Sequence, residues 1–308
     1  MNVNRSSVAL KPPKVNLHAP EIAWPTLILF VGCLTTWLVM SVGMVQGWVS
    51  YMWGAIINSM AAFVAFTPMH DASHRSITRT KWVNEAIGRV CAIVLLAPFP
   101  AFRYVHLEHH KHTNDDHKDP DKWSGQGPTL LLPFRWLTQD LHYYVVYLSK
   151  WNSRKPAERW ETLLSLLIIW PTMGVLCWMG YTLPVVFAWI IPSRFAIAFL
   201  AFSFDYLPHK PHKITSAENR FKATLVRPSI WLTPILLYQN YHLIHHLYPG
   251  VPFYRYGEIW RKQKEYLLAR GVEMRSLSGH VIEHDITPES LMAQMEAESQ
   301  KAEANVSS

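Results

Sequence analysis

From Ile22 to Met69 the chain runs for 48 residues without one Asp, Glu, Lys, Arg or His. A water-soluble domain has few ways to hide so long an uncharged run, whereas a bilayer accepts about 20 apolar residues per helical crossing. The run is long enough for two crossings, and its polar break near Gln46 and Gly47 places them at about 23–45 and 49–69. Thr162 to Phe204 repeats the pattern with a single charge inside it, Arg194. A break near Gly180 and Tyr181 sets spans there at about 162–179 and 183–205. Only 17% of the 308 residues are charged and half are apolar, which excludes a disordered, collagen-like or coiled-coil chain.

Lys and Arg number 3 before residue 22, 13 between residues 70 and 161 and 12 after residue 205, and the two short turns carry none. By the positive-inside rule both termini and the long central segment face the cytoplasm, so an all-α integral membrane protein is expected, with four spans in two tight hairpins. The basic excess (net charge +7) serves topology and offers no nucleic-acid motif. A bacterial inner membrane fits this layout, and the polar N-terminus lacks a cleavage site, so the first span should be retained. Residues 1–22 read as a cytoplasmic segment, 23–282 as the membrane domain and 283–308 as a polar, acidic tail carrying Glu283, Asp285, Glu289, Glu296, Glu298 and Glu303. Ala86–Phe102 and Ile230–Leu237 are too brief or too broken by Pro for spans and read as interfacial or re-entrant pieces. Arg194, mid-span, calls for a partner or a snorkelling path. Cys33, Cys91 and Cys177 sit singly in apolar surroundings, as packing residues do.

Of the 16 histidines, 13 fall between His70 and His246. His70-Asp71-Ala72-Ser73-His74 puts two imidazoles at i and i+4, one face of a helix. His106-Leu107-Glu108-His109-His110 and His242-Leu243-Ile244-His245-His246 both read H-x-x-H-H. At this His content one such pattern arises by chance about 0.04 times per chain, so two are not scatter. All three boxes fall at or beyond the cytoplasmic ends of spans, where eight imidazoles can converge. Imidazole suits Fe, Zn, Cu and Ni, and this many ligands exceeds what one ion takes, so a dinuclear centre is expected. A zinc-protease helix would explain only the first box. A His-lined metal transporter, a non-enzyme alternative, would place its site near mid-membrane rather than at span ends. His18, His142, His280 and His284 read as ordinary solvated residues.

The order HDASH, HLEHH, HLIHH between paired spans resembles the membrane fatty acid desaturase and hydroxylase superfamily, over about residues 25–265. Within it, HDASHRS at 70–76, VHLEHH followed by DPD at 119–121, FDYLPHKP at 204–211, and QNYHLIHHLYP with VPFYRY at 239–256 look most like cyanobacterial-type β-carotene ring hydroxylases. The resemblance implies a cytoplasmic cap holding two ferrous ions, with O₂ as cosubstrate, in a non-haem oxidoreductase acting on unactivated lipid C–H bonds. It implies a ninth ligand after the fourth span, matched by His209, with His212 the lesser candidate. The implied ligand set is thus His70, His74, His106, His109, His110, His209, His242, His245 and His246.

Asp119 and Asp121, and more weakly Asp71 and Asn240, are expected to orient metal-bound imidazoles. The implied reaction is ring hydroxylation of a β-carotene-type substrate to cryptoxanthin or zeaxanthin. The alternative within the superfamily is an acyl desaturase, fatty-acid hydroxylase or alkene-forming enzyme. No CxxC, haem-attachment, P-loop or dinucleotide fingerprint occurs, so the two electrons per O₂ come from an external donor such as ferredoxin.

Overall fold

The computed structural model describes residues 11–294 and residue 297; the first ten residues, and Glu296, Glu298 and Glu303 of the acidic tail, lie outside them. Helix α1 (Trp24–Val45) and helix α2 (Tyr51–Ser73) follow the first uncharged run. Their 22 and 23 residues span about 33 Å each, the thickness of a bilayer's hydrocarbon. Pro25 opens α1, where a missing N–H costs nothing. Between the helices Gly47 takes φ +78°, a turn that L side chains resist, and the Ser50 side chain caps α2 by accepting from the Trp53 N–H. Ile28, Val31, Met52 and Met60 face outward, while Ala61, Ala62 and Ala65 make the buried face of α2 small enough for close neighbours.

Helix α3 (Lys81–Val94) and helix α4 (Phe99–His112) meet at 101°. Pro98 and Pro100 prevent one continuous helix, and Leu96 at φ +57° makes the corner. The expected interfacial piece Ala86–Phe102 is therefore split between two helices of 14 residues each. Two short helices, α5 (Leu132–Leu137) and α6 (Gln139–Ser149), lead to α7 (Pro156–Leu176).

The helical run continues from Thr182 to Tyr206 as α8 (Thr182–Val185), a π-helical stretch (Val186–Ile190), α9 (Ile191–Leu200) and a second π-helical stretch (Ala201–Tyr206). At Gly180, φ +92°, the run doubles back. Glu161 pairs with Arg89 while the Trp189 indole donates to the Ile93 carbonyl, so residues far apart in the run meet one turn of α3. A straight helix would separate Glu161 and Trp189 by about 42 Å. The first π stretch leaves the Ala188 carbonyl open to neighbours, and the Trp37 indole (3.0 Å) and Asn58 amide (3.1 Å) donate to it, fastening α9's entry to α1 and α2. By length and composition three helical runs can cross a membrane, or four if the bent α3–α4 pair is one span.

Beyond Tyr206 lie α10 (Ser216–Asn219), α11 (Leu232–Ile235), α12 (His242–Leu247), α13 (Tyr256–Ala269) and an antiparallel pair, β1 (Met274–Arg275) and β2 (Val281–Ile282), with Met274 opposite Ile282. This cap has its own core of Leu243, Ile244, Phe253, Tyr256, Ile259 and Leu267, separate from the membrane-side core around Ala65, Met69, Phe99 and Phe204. Ile230 and Trp231, just before α11, are exposed. All three cysteines are free thiols.

Arg194 on α9 finds its partner: two nitrogens meet the two Asp140 oxygens at 2.8 and 2.5 Å, tying α9 to the first turn of α6. Removing one charge leaves the other unpaired in a low-dielectric setting, whereas replacing both removes the desolvation cost as well. Arg194→Leu is expected to destabilise the detergent-solubilised protein by about 2 kcal/mol, and Arg194→Leu with Asp140→Leu by less than the single change, measured by thermal unfolding.

Candidate metal centre

The imidazoles gather where the membrane-side core meets the cap. His70 lies in the last turn of α2 and His74 ends it, one turn apart on one face. Helix α4 carries His106, His109 and His110, and α12 carries His242, His245 and His246. His209 stands in the turn after the second π stretch. That turn is held by the Lys210 N–H on the Tyr206 carbonyl and the Leu225 N–H on the Pro208 carbonyl.

Two groups result. His70, His74, His106, His110 and His245 form one, and His109, His209, His242 and His246 the other, with the donor atoms of each within 4.8 Å of one another. In the first group the Nε2 atoms approach pairwise: 3.0 Å for His70–His245, 2.7 Å for His74–His106 and 3.2 Å for His106–His110. In the second, His246 Nε2 is 3.3 Å from His109 Nε2 and 3.1 Å from His242 Nε2. His212 belongs to neither group; its ring centre is 6.0 Å from that of His209. His18 and His280 are exposed, and His142 stacks on Trp123, away from both groups.

The outward-facing Nδ1 atoms explain why Nε2 points in. Asp119 Oδ1 lies 2.7 Å from His109 Nδ1, and Gln239 Oε1 lies 2.8 Å from His242 Nδ1. Both oxygens only accept, so each Nδ1 carries the proton and each Nε2 keeps a free lone pair. Thr113 gives its hydroxyl proton to the His109 carbonyl (2.9 Å) and accepts from His246 Nδ1 (3.4 Å). The Tyr256 hydroxyl meets His245 Nδ1 at 3.0 Å. Asp121 Oδ2 lies 3.4 Å from His109 Nδ1 and its Oδ1 accepts from the Tyr143 hydroxyl at 2.6 Å.

The other two expected orienting residues touch no imidazole within hydrogen-bonding distance. Asp71 accepts from Thr26 (2.9 Å) and from the Phe253 N–H (3.4 Å), joining α1, α2 and the cap, with its Oδ1 3.9 Å from His70 Nδ1. Asn240 donates to the Arg227 carbonyl and Thr233, fixing the loop before α12. Sequence reasoning missed Thr113, Gln239, Tyr143 and Tyr256. Gln239 carried a usable signal, since residue i−3 of a helical histidine shares its face; Tyr256 and Tyr143 are placed by long-range packing.

Lone pairs this close repel unless positive charge lies between them. Protons supply it at few of them, because burial first, and repulsion from neighbouring imidazoles second, push His74, His209, His242, His245 and His246 well below the usual imidazole range, while at His109 burial is outweighed by the Asp121 and Asp119 carboxylates, which raise it to about 9. Both His209 nitrogens are buried without any hydrogen-bond partner among the described residues. Buried, convergent imidazole nitrogens fit first-row divalent cations, iron among them, and nine of them suit two ions better than one.

An apolar cavity reaches this array from the membrane side, lined by Phe66, Met69, Leu95, Phe102, Ile197 and Leu200 among others. Phe66 stacks on His70 (5.7 Å between ring centres) and Phe102 on His106 (5.5 Å), so aromatic carbon separates cavity and imidazoles.

The family model for fatty acid desaturases matches residues 46–278, and the chain belongs to the fatty acid desaturase family. It is 26% identical over 238 residues to the sn-1 oleoyl-lipid 12-desaturase of Anabaena variabilis, covering 64% of this chain and 65% of that protein. It is 24% identical over 214 residues to the sn-1 acyl-lipid omega-3 desaturase (ferredoxin) of Nostoc sp. (strain 36), covering 63% of this chain and 49% of that one. A beta-carotene ketolase of Paracoccus sp. (strain PC1) is 28% identical over 194 residues, 62% of this chain and 71% of the ketolase. The chain thus spans less than two thirds of the two desaturases' own length.

The depressed imidazoles make stability pH-dependent. Between their folded values and the ordinary 6.5 the unfolded chain binds protons that the folded one refuses, so the stability present above pH 6.5 is lost as pH falls. The metal-free protein is expected to lose about 1.4 kcal/mol per imidazole per pH unit below 6.5, read as a falling thermal midpoint, with a shallower fall once His245→Phe and His246→Phe are introduced.

Proposed function

We propose that this chain is a membrane-embedded oxidoreductase that uses two irons, O₂ and electrons from an external donor to oxidise a C–H bond of a lipid. The observation that carries the reading is the double array of nine inward-facing imidazoles beside an apolar cavity. The proposed ligands are His70, His74, His106, His110 and His245 for one iron, and His109, His209, His242 and His246 for the other. When bound, the irons supply O₂ reduction and hydrogen abstraction.

The protein's own residues do the rest. Asp119, Gln239, Thr113 and Tyr256 keep the Nδ1 protons outward and the rings in place. Phe66 and Phe102 exclude water from the side facing the lipid. The cavity wall orients the chain so that one carbon faces the imidazoles. The Lys and Arg distribution supports four spans in two hairpins, with both termini and the histidines on the cytoplasmic side, where a soluble donor reaches them. A ferredoxin is the proposed donor, in line with the Nostoc relative's name.

The runs FDYLPHKP and VPFYRY favour hydroxylation of a β-carotene-type ring. The oleoyl-lipid desaturases among the relatives favour acyl desaturation equally. The deciding assay is pigment and lipid analysis of a β-carotene-accumulating bacterium that expresses the chain, with a ferredoxin system, beside a His245→Ala control. Cryptoxanthin or zeaxanthin that depends on the intact chain supports the ring reading, new unsaturated acyl chains support the second, and identical profiles in both strains refute lipid oxidation.

The ligand set is tested by metal analysis of purified protein. Wild type is expected to hold two irons, His209→Ala to lose iron and turnover, and His212→Ala to keep most of both. His117→Ala and His142→Ala should leave the iron content near two, and a large loss from either would show the set to be wrong.

A further inference from the structure

The cavity beside the imidazoles is walled mostly by carbon, but Gln139, Asp140, Tyr143, Tyr144 and Asp205 break the pattern, the Tyr144 hydroxyl being given to the Leu96 carbonyl at 3.2 Å. Asp140 is accounted for, since both of its oxygens are taken by Arg194. Asp205 is not. It is 8% exposed, lies in the second π-helical stretch, and has one hydrogen-bonding neighbour among the described residues, the Tyr143 hydroxyl at 3.5 Å. Tyr143 owns a single hydroxyl proton, and the 2.6 Å contact to Asp121 claims it. Gln139, 3% exposed, turns its amide nitrogen to the Pro120 carbonyl and leaves Oε1 buried with no donor among the described residues.

Among the described residues, the wall therefore presents acceptors that no side-chain donor satisfies. One Asp205 oxygen stays an acceptor whether the carboxyl is ionised or protonated, and the Gln139 carbonyl is a second. Buried acceptors left without a donor are unfavourable, so whatever fills the cavity gains by bringing an O–H. A ketone, an ester carbonyl or a bare hydrocarbon brings none. The position is also defined, because Tyr143 links Asp205 to Asp121, which lies beside His109, at the imidazole end of the cavity.

We infer that Asp205 and Gln139 form a hydroxyl-reading station, so that the cavity prefers an apolar lipid carrying an alcohol near the carbons that approach the imidazoles. The inference rests on the reading of the chain as a lipid oxidase and narrows its substrate class. The hydrocarbon parent still enters the same space, held by carbon contacts alone.

The test is equilibrium binding of radiolabelled hexadecan-1-ol, hexadecane and hexadecan-2-one to the full chain in phosphatidylcholine nanodiscs, corrected for empty discs. Wild type is expected to bind the alcohol about tenfold more tightly than the alkane, with no such gain for the ketone. Asp205→Leu and Gln139→Leu should each bring the alcohol toward the alkane's affinity. Unchanged hexadecane binding in these variants shows that fold and cavity persist. Asp205→Asn, which can turn an amide N–H into the cavity, should narrow the gap between alcohol and ketone. Equal affinities for alcohol and alkane in wild type, or an alcohol preference that survives both Leu changes, would overturn the station while leaving lipid oxidation standing. Failure of every probe to bind wild type would overturn the cavity's role in both.

Discussion

Nine imidazole lone pairs turned toward one another in a dry space need positive charge between them, and most of the surrounding architecture answers to that requirement. The rings cannot relax outward, because acceptor oxygens behind them hold the Nδ1 protons. Rings such as His242 and His245 cannot protonate cheaply, because burial disfavours charge and each charged ring would repel the next. The energy of the array is thus unfavourable until cations arrive, and the folding of two separate cores on either side pins it meanwhile. Asp71 makes the same point from the opposite direction. Instead of serving an imidazole, it joins Thr26 of α1 to the backbone of Phe253 in the cap, locking together the two bodies that supply the rings.

What could be read along the chain was whatever short spacing or long apolar runs encode. The helix bounds of α1 and α2 fall within a few residues of the uncharged run's own division, because Gly47 and Ser50 give local instructions there. The nine imidazoles were identifiable as a set because three boxes are local patterns and the ninth follows a resemblance in the LPHKP segment. The orienting groups were harder. Asp119 meets a ring ten residues away along the same stretch, but Tyr256 reaches His245 only after the chain has turned through Pro249 to Pro252. Asn240 adjoins a box and turns the other way, toward the Arg227 carbonyl. Adjacency in sequence says which residues are near a site; the direction of each side chain is decided by backbone turns that no spacing rule records.

The bend between α3 and α4 has a similar lesson. One stretch of apolar composition contains a corner, and the corner allows α4 to run toward the cap with its boxed histidines on one face and Phe102 and Ala101 on the cavity. Proline at that point acts as a shape-giving residue, since a straight helix of the same composition would carry the second box away from the first.

The two π-helical stretches in the run from Thr182 to Tyr206 bear on how such a scaffold diversifies. Each winds the chain more loosely than an α-helix, so residues beyond it are rotated about the axis relative to those before it. The second stretch lies between the cavity-lining part of α9, with Ile197 and Leu200, and His209. Gain or loss of one residue there would change the angular phase between the face that lines the cavity and the turn that presents the imidazole, without altering either sequence. A scaffold built on a fixed histidine array can in this way re-aim its cavity by the phase of a single helix.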